Sequence, residues 1–144
     1  MSVSTSQTNV SCNGGSNGTA TATPSGGTAG YTYLWTGPTG PFFTQNVSGL
    51  CAGTYTVKVT DALGCFNTAT VTFTNPPQLN VTTTSTNVTC NGLCNGTATV
   101  NPSGGTGTYS YLWQTALLET TQSISNLCNG TYLVTVTDAN GCTR

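Results

Sequence analysis

Charge is almost missing from this 144-residue chain. Its only Lys, Arg, Asp and Glu residues are Lys58, Arg144, Asp61, Glu119 and Asp138, 3% of the total, where a soluble protein is usually about a quarter charged. Two cations cannot form a basic patch, which excludes counterion-release binding to nucleic acid and polybasic docking on anionic lipid. Histidine is absent and carboxylates number three, so the usual general bases and non-thiol metal ligands are nearly missing. The composition therefore argues against an enzyme and calls for no cofactor. No apolar run reaches the length of about 18 residues that a spanning helix needs, so no membrane insertion is expected. The opening Met1-Ser2-Val3-Ser4-Thr5 lacks the basic and apolar regions of a signal peptide. We read the sequence as a segment of a longer exported protein.

Thr (33), Gly (18), Asn (14) and Ser (12) fill 77 positions. Polarity of this kind without net charge, and with 12 aromatics in ordered positions, differs from the usual disordered composition. Thr and Val are β-branched and favour strands, while Gly, Asn and Pro mark turns, so the expectation is an all-β protein with no helix. Seven cysteines in 14.7 kDa point to an oxidising, extracellular compartment.

The chain is a tandem duplication. Residues 9–35 align without gaps on 87–113 with 19 of 27 identical, and 47–65 align on 124–142 with 13 of 19 identical. One residue is lost between the variable segments 36–46 and 114–123. Pro76-Pro77 lacks N–H donors and forms the natural junction, giving repeats 1–77 and 78–144.

Each repeat alternates with period two, the strand signal. Tyr55, Val57 and Val59 share one face while hydroxyls and Lys58 take the other. Asp61-Ala62-Leu63-Gly64 forms a turn, after which Ala69, Val71 and Phe73 alternate with threonines as the second arm of a hairpin. Strands are expected over 3–11, 19–23, 31–35, 43–48, 54–60 and 66–74, with room for a seventh edge strand at 37–41. Short strands with turn signals every 8–12 residues indicate a β-sandwich. A lone Trp on the third strand (Trp35, Trp113) suits the space between two sheets. Leu50-x-x-Gly53-x-Tyr55, repeated as Leu127-x-x-Gly130-x-Tyr132, has the form of a tyrosine corner. Both features favour immunoglobulin-like or fibronectin-III-like domains, with these aromatics as core.

The string Asn87, Cys90-Asn91-Gly92, Asn95-Gly96-Thr97-Ala98-Thr99, Pro102-Ser103-Gly104-Gly105-Thr106, Tyr109-x-Tyr111-x-Trp113, Gly130-Thr131-Tyr132 and Thr137-Asp138-Ala139-Asn140-Gly141-Cys142 resembles a SprB repeat. The resemblance runs through nearly the whole chain twice. It implies an exported module, present in many copies in very large cell-surface proteins of Bacteroidota, including a gliding-motility adhesin, and carried by the type IX secretion route. The sorting domain of that route is absent from these residues.

Cys12, Cys51 and Cys65 align with Cys90, Cys128 and Cys142, whereas Cys94 faces Ser16. The extra Cys94 is read as the partner of Cys128, which leaves Cys51 unpaired because Ser16 cannot bond it. Cys12 and Cys51 lie at one end of such a sandwich and the turn at Cys65 at the other. A strand of eight residues spans about 26 Å, beyond the Cα separation of about 7 Å that a disulfide tolerates. The first hypothesis is therefore an interdomain staple, Cys12–Cys142, with Cys65 and Cys90 making the same link to neighbouring modules. The competing hypothesis pairs Cys12 with Cys65 and Cys90 with Cys142. Zinc on Cys90, Cys94, Cys128 and Cys142 is the functional alternative, weakened because the first repeat keeps the pattern with three thiols. Calcium at Asp138-x-Asn140 has one carboxylate where several are usual, so that segment reads as an Asx-type turn.

The second repeat reaches only the position equivalent to residue 67, so its last strand is missing within this chain. Either the polypeptide continues or another subunit supplies the strand by β-addition. The expected function is a non-enzymatic structural or adhesive module of a long surface stalk or filament. Its partners are neighbouring copies and, weakly, surface glycans. The alternative is a discrete carbohydrate- or ice-binding sandwich, with Phe42 and Phe43 in a variable loop as candidate recognition residues.

Overall fold

A computed structural model describes residues 1–144, which form two compact units, Met1–Pro76 and Pro77–Arg144. In the first unit six strands make two antiparallel three-stranded sheets. These are β1 (Ser2–Thr8), β2 (Gly18–Ser25), β3 (Thr32–Thr36), β4 (Asn46–Leu50), β5 (Gly53–Thr60) and β6 (Phe66–Phe73). One sheet has the order β1-β2-β4 and the other β3-β5-β6. β1 and β2 pair in one sheet and β5 and β6 in the other, while the chain crosses between the sheets at β2–β3, β3–β4 and β4–β5, which is an immunoglobulin-like arrangement. The region 37–41 adds no seventh strand. Only an isolated bridge, Trp35↔Phe42, forms beside it, because Pro38 and Pro41 remove ladder donors and Gly40 turns the chain at φ 107°.

The core follows the alternation. Tyr55, Val57 and Val59 are completely buried on β5, against Trp35, Ala22 and Leu50, with Phe73 2% exposed. The threonines of β5 and β6 pair on the outer face, as in Thr54 and Thr72, whose hydroxyls lie 3.0 Å apart. Trp35 fills the interior, and its indole N–H donates to the Thr44 carbonyl at 3.0 Å, so burial leaves no orphaned donor.

The second unit repeats this plan with β7 (Asn80–Thr86), β8 (Gly96–Ser103), β9 (Ser110–Trp113), β10 (Ser123–Leu127) and β11 (Val134–Thr137). Its sheets are β10-β8-β7 and β11-β9. Trp113 takes the place of Trp35 and donates to the Thr121 carbonyl at 2.9 Å. The β2–β4 ladder slips where Gly49 takes a φ of 73°, and the β10–β8 ladder slips at Asn126, φ 59°. Both residues sit in the left-handed region, which Gly adopts freely and Asn with little cost, so one bulge is conserved between units with different side chains.

The second unit differs where β6 would lie. Ala20, Tyr55 and Val57 are buried in the first unit, whereas Ala98, Tyr132 and Val134 are only half-buried. The strand equivalent to β5 is shortened by four residues at its start, the stretch that in the first unit pairs with Thr70–Phe73.

Candidate functional site

The hairpin turns carry the two buried carboxylates, Asp61 and Asp138, 7% and 5% exposed. Asp61 Oδ1 accepts the N–H of Leu63 and of Cys65, and Oδ2 accepts the N–H of Thr28. Asp138 does the same with Asn140, Cys142 and Thr106, each at 2.9 Å. Each carboxylate therefore closes its own turn and ties it to the β2–β3 or β8–β9 loop. That loop must come close: a Cβ on Gly27 would lie 2.9 Å from Asp61 Oδ2, and one on Gly105 would lie 2.9 Å from Asp138 Oδ2. The N–H of Thr28, with those of Cys65 and Leu63, holds the Asp61 carboxyl below the ordinary range against its burial. Burial pushes Asp138 up, and the donors from Cys142, Thr106 and Asn140 outweigh it, so this carboxyl is also lowered. The Asx-type turn expected at Asp138 is thus present, with a third bond that reaches across the unit. Sequence reasoning missed that bond. Two tyrosine clasps were also missed: the Tyr31 hydroxyl donates to the Gly26 carbonyl and Tyr109 to that of Gly104.

The two tyrosine-corner candidates behave differently. The Tyr132 hydroxyl donates to the Cys128 carbonyl at 3.1 Å, four residues upstream, which is the corner. Tyr55 does not bond to nearby backbone. Its hydroxyl lies 2.8 Å from the Thr39 hydroxyl and 3.5 Å from the Cys51 thiol. The variable loop supplies Thr39, the partner of the phenol, and its Gly37 approaches the ring so closely that no side chain fits there. Burial of this ring raises the phenol pKa. Leu50 and Leu127 are both buried beside their tyrosines.

Among the cysteines, Cys94 and Cys128 are joined by a disulfide. Cys51 is a half-buried free thiol, and Cys65 and Cys90 are exposed free thiols. Free Cys65 and Cys90 rule out the intradomain pairs Cys12–Cys65 and Cys90–Cys142 in this structure. The Cys94–Cys128 bond also takes two of the four thiolates considered for zinc. No group of three or more His, Cys, Asp or Glu side chains comes together as a metal site.

The loop candidates Phe42 and Phe43 separate. Phe43 is 69% exposed, whereas Phe42 packs against the first core and exchanges two backbone hydrogen bonds with Trp35. Phe42 is therefore partly buried and contributes to packing, while Phe43 is the more exposed of the two.

Two open clefts lie in the second unit around Tyr132. One, of about 420 Å³, lies between the loop at Thr115–Thr121 and β10, with Leu117, Glu119, Ile124 and Leu127 among its walls. The other, of about 320 Å³, is lined by Asn87, Val88, Gly96, Ala98, Leu127 and Gly130. In the first unit the ring of Phe73 occupies the position of the second cleft, since a Cβ on Gly18 would lie 3.0 Å from Phe73 Cδ1.

The family comparison agrees with the geometry. The model of the SprB repeat matches residues 4–40 and 82–117, 73 of the 144 residues, once in each unit. The chain belongs to the SprB repeat family, whose members are repeat modules typically found at the cell surface. The Cys94–Cys128 disulfide fits an oxidising environment. No curated protein matches the chain.

Proposed function

We propose that the chain is building material of a cell-surface array: a non-enzymatic structural and adhesive module that works in many copies. The observation that carries this reading is the repetition itself, two sandwich units of one topology in a nearly uncharged, hydroxyl-coated chain. Modules in series give a stalk whose length scales with copy number. Weak hydrogen bonding from Thr and Ser faces gains strength by avidity and not from one pocket. Neighbouring copies of the module are its main partners, and surface glycans are secondary ones. Gliding motility and type IX export belong to this proposal as roles of the family. The Cys12–Cys142 link expected from the order of turns also belongs to it.

Electron microscopy of material from the native source tests the proposal. Filaments or strings with a regular module repeat support it, and a compact soluble particle overturns it. The second reading, a carbohydrate-binding module, is favoured by the cleft between Leu117, Glu119 and Tyr132, which sets a carboxylate and an aromatic ring beside hydroxyls. A glycan array with the intact chain and with Phe43→Ala and Tyr132→Ala separates the two. A saturable hit lost in either variant favours a discrete ligand site over bulk adhesion.

A further inference from the structure

The loop after the third strand shares no pattern between the two units, and what it covers differs as well. In the first unit the loop folds across the tyrosine of β5. Gly37 sits against the Tyr55 ring, a Cβ on Gly53 would lie 2.5 Å from Pro38 Cγ, and the Thr39 hydroxyl lies 2.8 Å from that of Tyr55. Phe42 then returns to Trp35 through the isolated bridge. The space on this side of the tyrosine is full.

In the second unit the corresponding loop closes on itself. The Trp113 N–H donates to the Glu119 carbonyl at 2.9 Å, the Leu118 N–H to that of Thr115 at 3.2 Å, and the Thr115 hydroxyl to Glu119 Oε2. Leu118 takes a left-handed φ of 50° in this turn, which a leucine keeps only where the surrounding bonds hold it. No loop residue stands in for Pro38: the atoms nearest to a Cβ on Gly130 belong to the Tyr132 ring, the closest 3.8 Å away. What remains is the cleft of about 420 Å³ between this loop and β10. The loop springs from β9, on one side of β11, whereas Thr143 and Arg144 lie along the other. The cleft is thus a product of the loop's own sequence.

The lining suits a sugar. Leu117, Ile124 and Tyr132 supply apolar surface, and Glu119, Ser125 and Asn126 supply polar groups. A pyranose has a face of C–H groups that stacks on aromatic and aliphatic side chains, and a rim of hydroxyls that need partners. Thr115 holds Oε2 of Glu119, which leaves Oε1 to accept a ligand hydroxyl in a charge-assisted bond. No Lys or Arg lines the cleft, so an acidic sugar would meet an unbalanced carboxylate. The volume falls in the range of about 300–1,000 Å³ usual for small-ligand sites. We propose that this cleft binds an uncharged glycan, that the loop 114–123 creates the site in the second unit alone, and that Glu119 is its main hydrogen-bond acceptor. The first unit, with the same fold but a closed loop, is a spacer. The inference rests on the reading of the chain as a carbohydrate-binding module and deepens it by assigning the site, the residue and the ligand class.

The probes are cellotriose, maltotriose and mannotriose, with trigalacturonate as the acidic counterpart, titrated into the isotope-labelled 144-residue chain and followed by amide NMR shifts. At least one neutral trisaccharide should saturate by about 10 mM, with shifts at 117–119 and 124–126, and trigalacturonate should not bind. Glu119→Gln keeps an acceptor for the Thr115 hydroxyl and should weaken binding about fivefold or more. Leu117→Ala, at a side chain 81% exposed in the free chain, should weaken it about threefold without disturbing the fold. A chimera carrying residues 36–46 in place of 114–123 should lose binding. Failure of all three neutral probes, tighter binding of trigalacturonate, or equal binding by Glu119→Gln overturns the proposal. Binding that vanishes when residues 68–75 are appended after Arg144 also overturns it, because the sugar would then lie on the other side of β11. A trisaccharide whose shifts centre on Phe43 overturns this site and leaves the carbohydrate reading standing, so the two failures are distinct.

Discussion

Phe73 stands edge-on to Tyr55 with ring planes at 90°, and this pair closes the first unit above Gly18. The contact joins the last strand to the tyrosine of the preceding one, and nothing in the second unit replaces it. Phe73→Ala should cost about 3–5 kcal/mol in the first unit, read as an earlier denaturant midpoint for that unit by tryptophan fluorescence of Trp35. An unchanged midpoint would contradict the packing described.

Gly37 offers a sharper steric test. A Cβ there would fall 2.3 Å from Tyr55 Cδ1, and the ring has no room to retreat because it is fully buried. Gly37→Ala should destabilise the first unit by about 1–3 kcal/mol through overpacking, measured by urea unfolding. Gly64→Ala meets no atom within 4 Å; its cost should come from the left-handed φ of 85° alone.

The carboxylates set the acid limit. Both Asp61 and Asp138 are lowered in the folded chain, while an unfolded Asp titrates near 3.9. Their stabilising contribution is complete above that value and is lost as pH falls through the folded values. Thermal stability should be level from about pH 7 to 5 and decline below about pH 4. The double variant Asp61→Asn, Asp138→Asn should melt lower at pH 7 and show a flatter acid limb in a calorimetric pH series.

Thiol chemistry is graded by exposure. Cys65 and Cys90 should alkylate rapidly in the native protein and Cys51 slowly, since its thiol is half-buried against the Tyr55 hydroxyl. Mass mapping of the unreduced digest should return a Cys94–Cys128 linked peptide. The proposed Cys12–Cys142 link should appear in the same digest, and recovery of a Cys12–Cys65 peptide would sink it.

The two loop phenylalanines should respond oppositely to truncation. Phe43→Ala should change stability by no more than about 0.5 kcal/mol, whereas Phe42→Ala should cost about 1–3 kcal/mol, compared by thermal melts.

Much of this fold is legible in the sequence because period-two alternation maps directly onto burial. Tyr55, Val57 and Val59 on β5 and Val71 and Phe73 on β6 face inward as their spacing implies. The duplication makes the strands β1 to β5 visible twice. What escaped were contacts between segments distant along the chain. Asp61 reads as a turn residue, and only the fold brings the Thr28 N–H to its second oxygen. Tyr55 and Tyr132 share one motif, yet their hydroxyls go to different partners, because Thr39 comes from a loop the repeats do not share. Phe42 and Phe43 are neighbours of identical chemistry. Their different exposures depend on the bridge to Trp35, which no local pattern announces.

The burial of Asp61 and Asp138 leaves Lys58, Glu119 and Arg144 as the charged side chains nearer the solvent. In an array of the proposed kind, a chain with so few charges would make an electrokinetically quiet coat, whose zeta potential and swelling should respond little to acidity around neutrality.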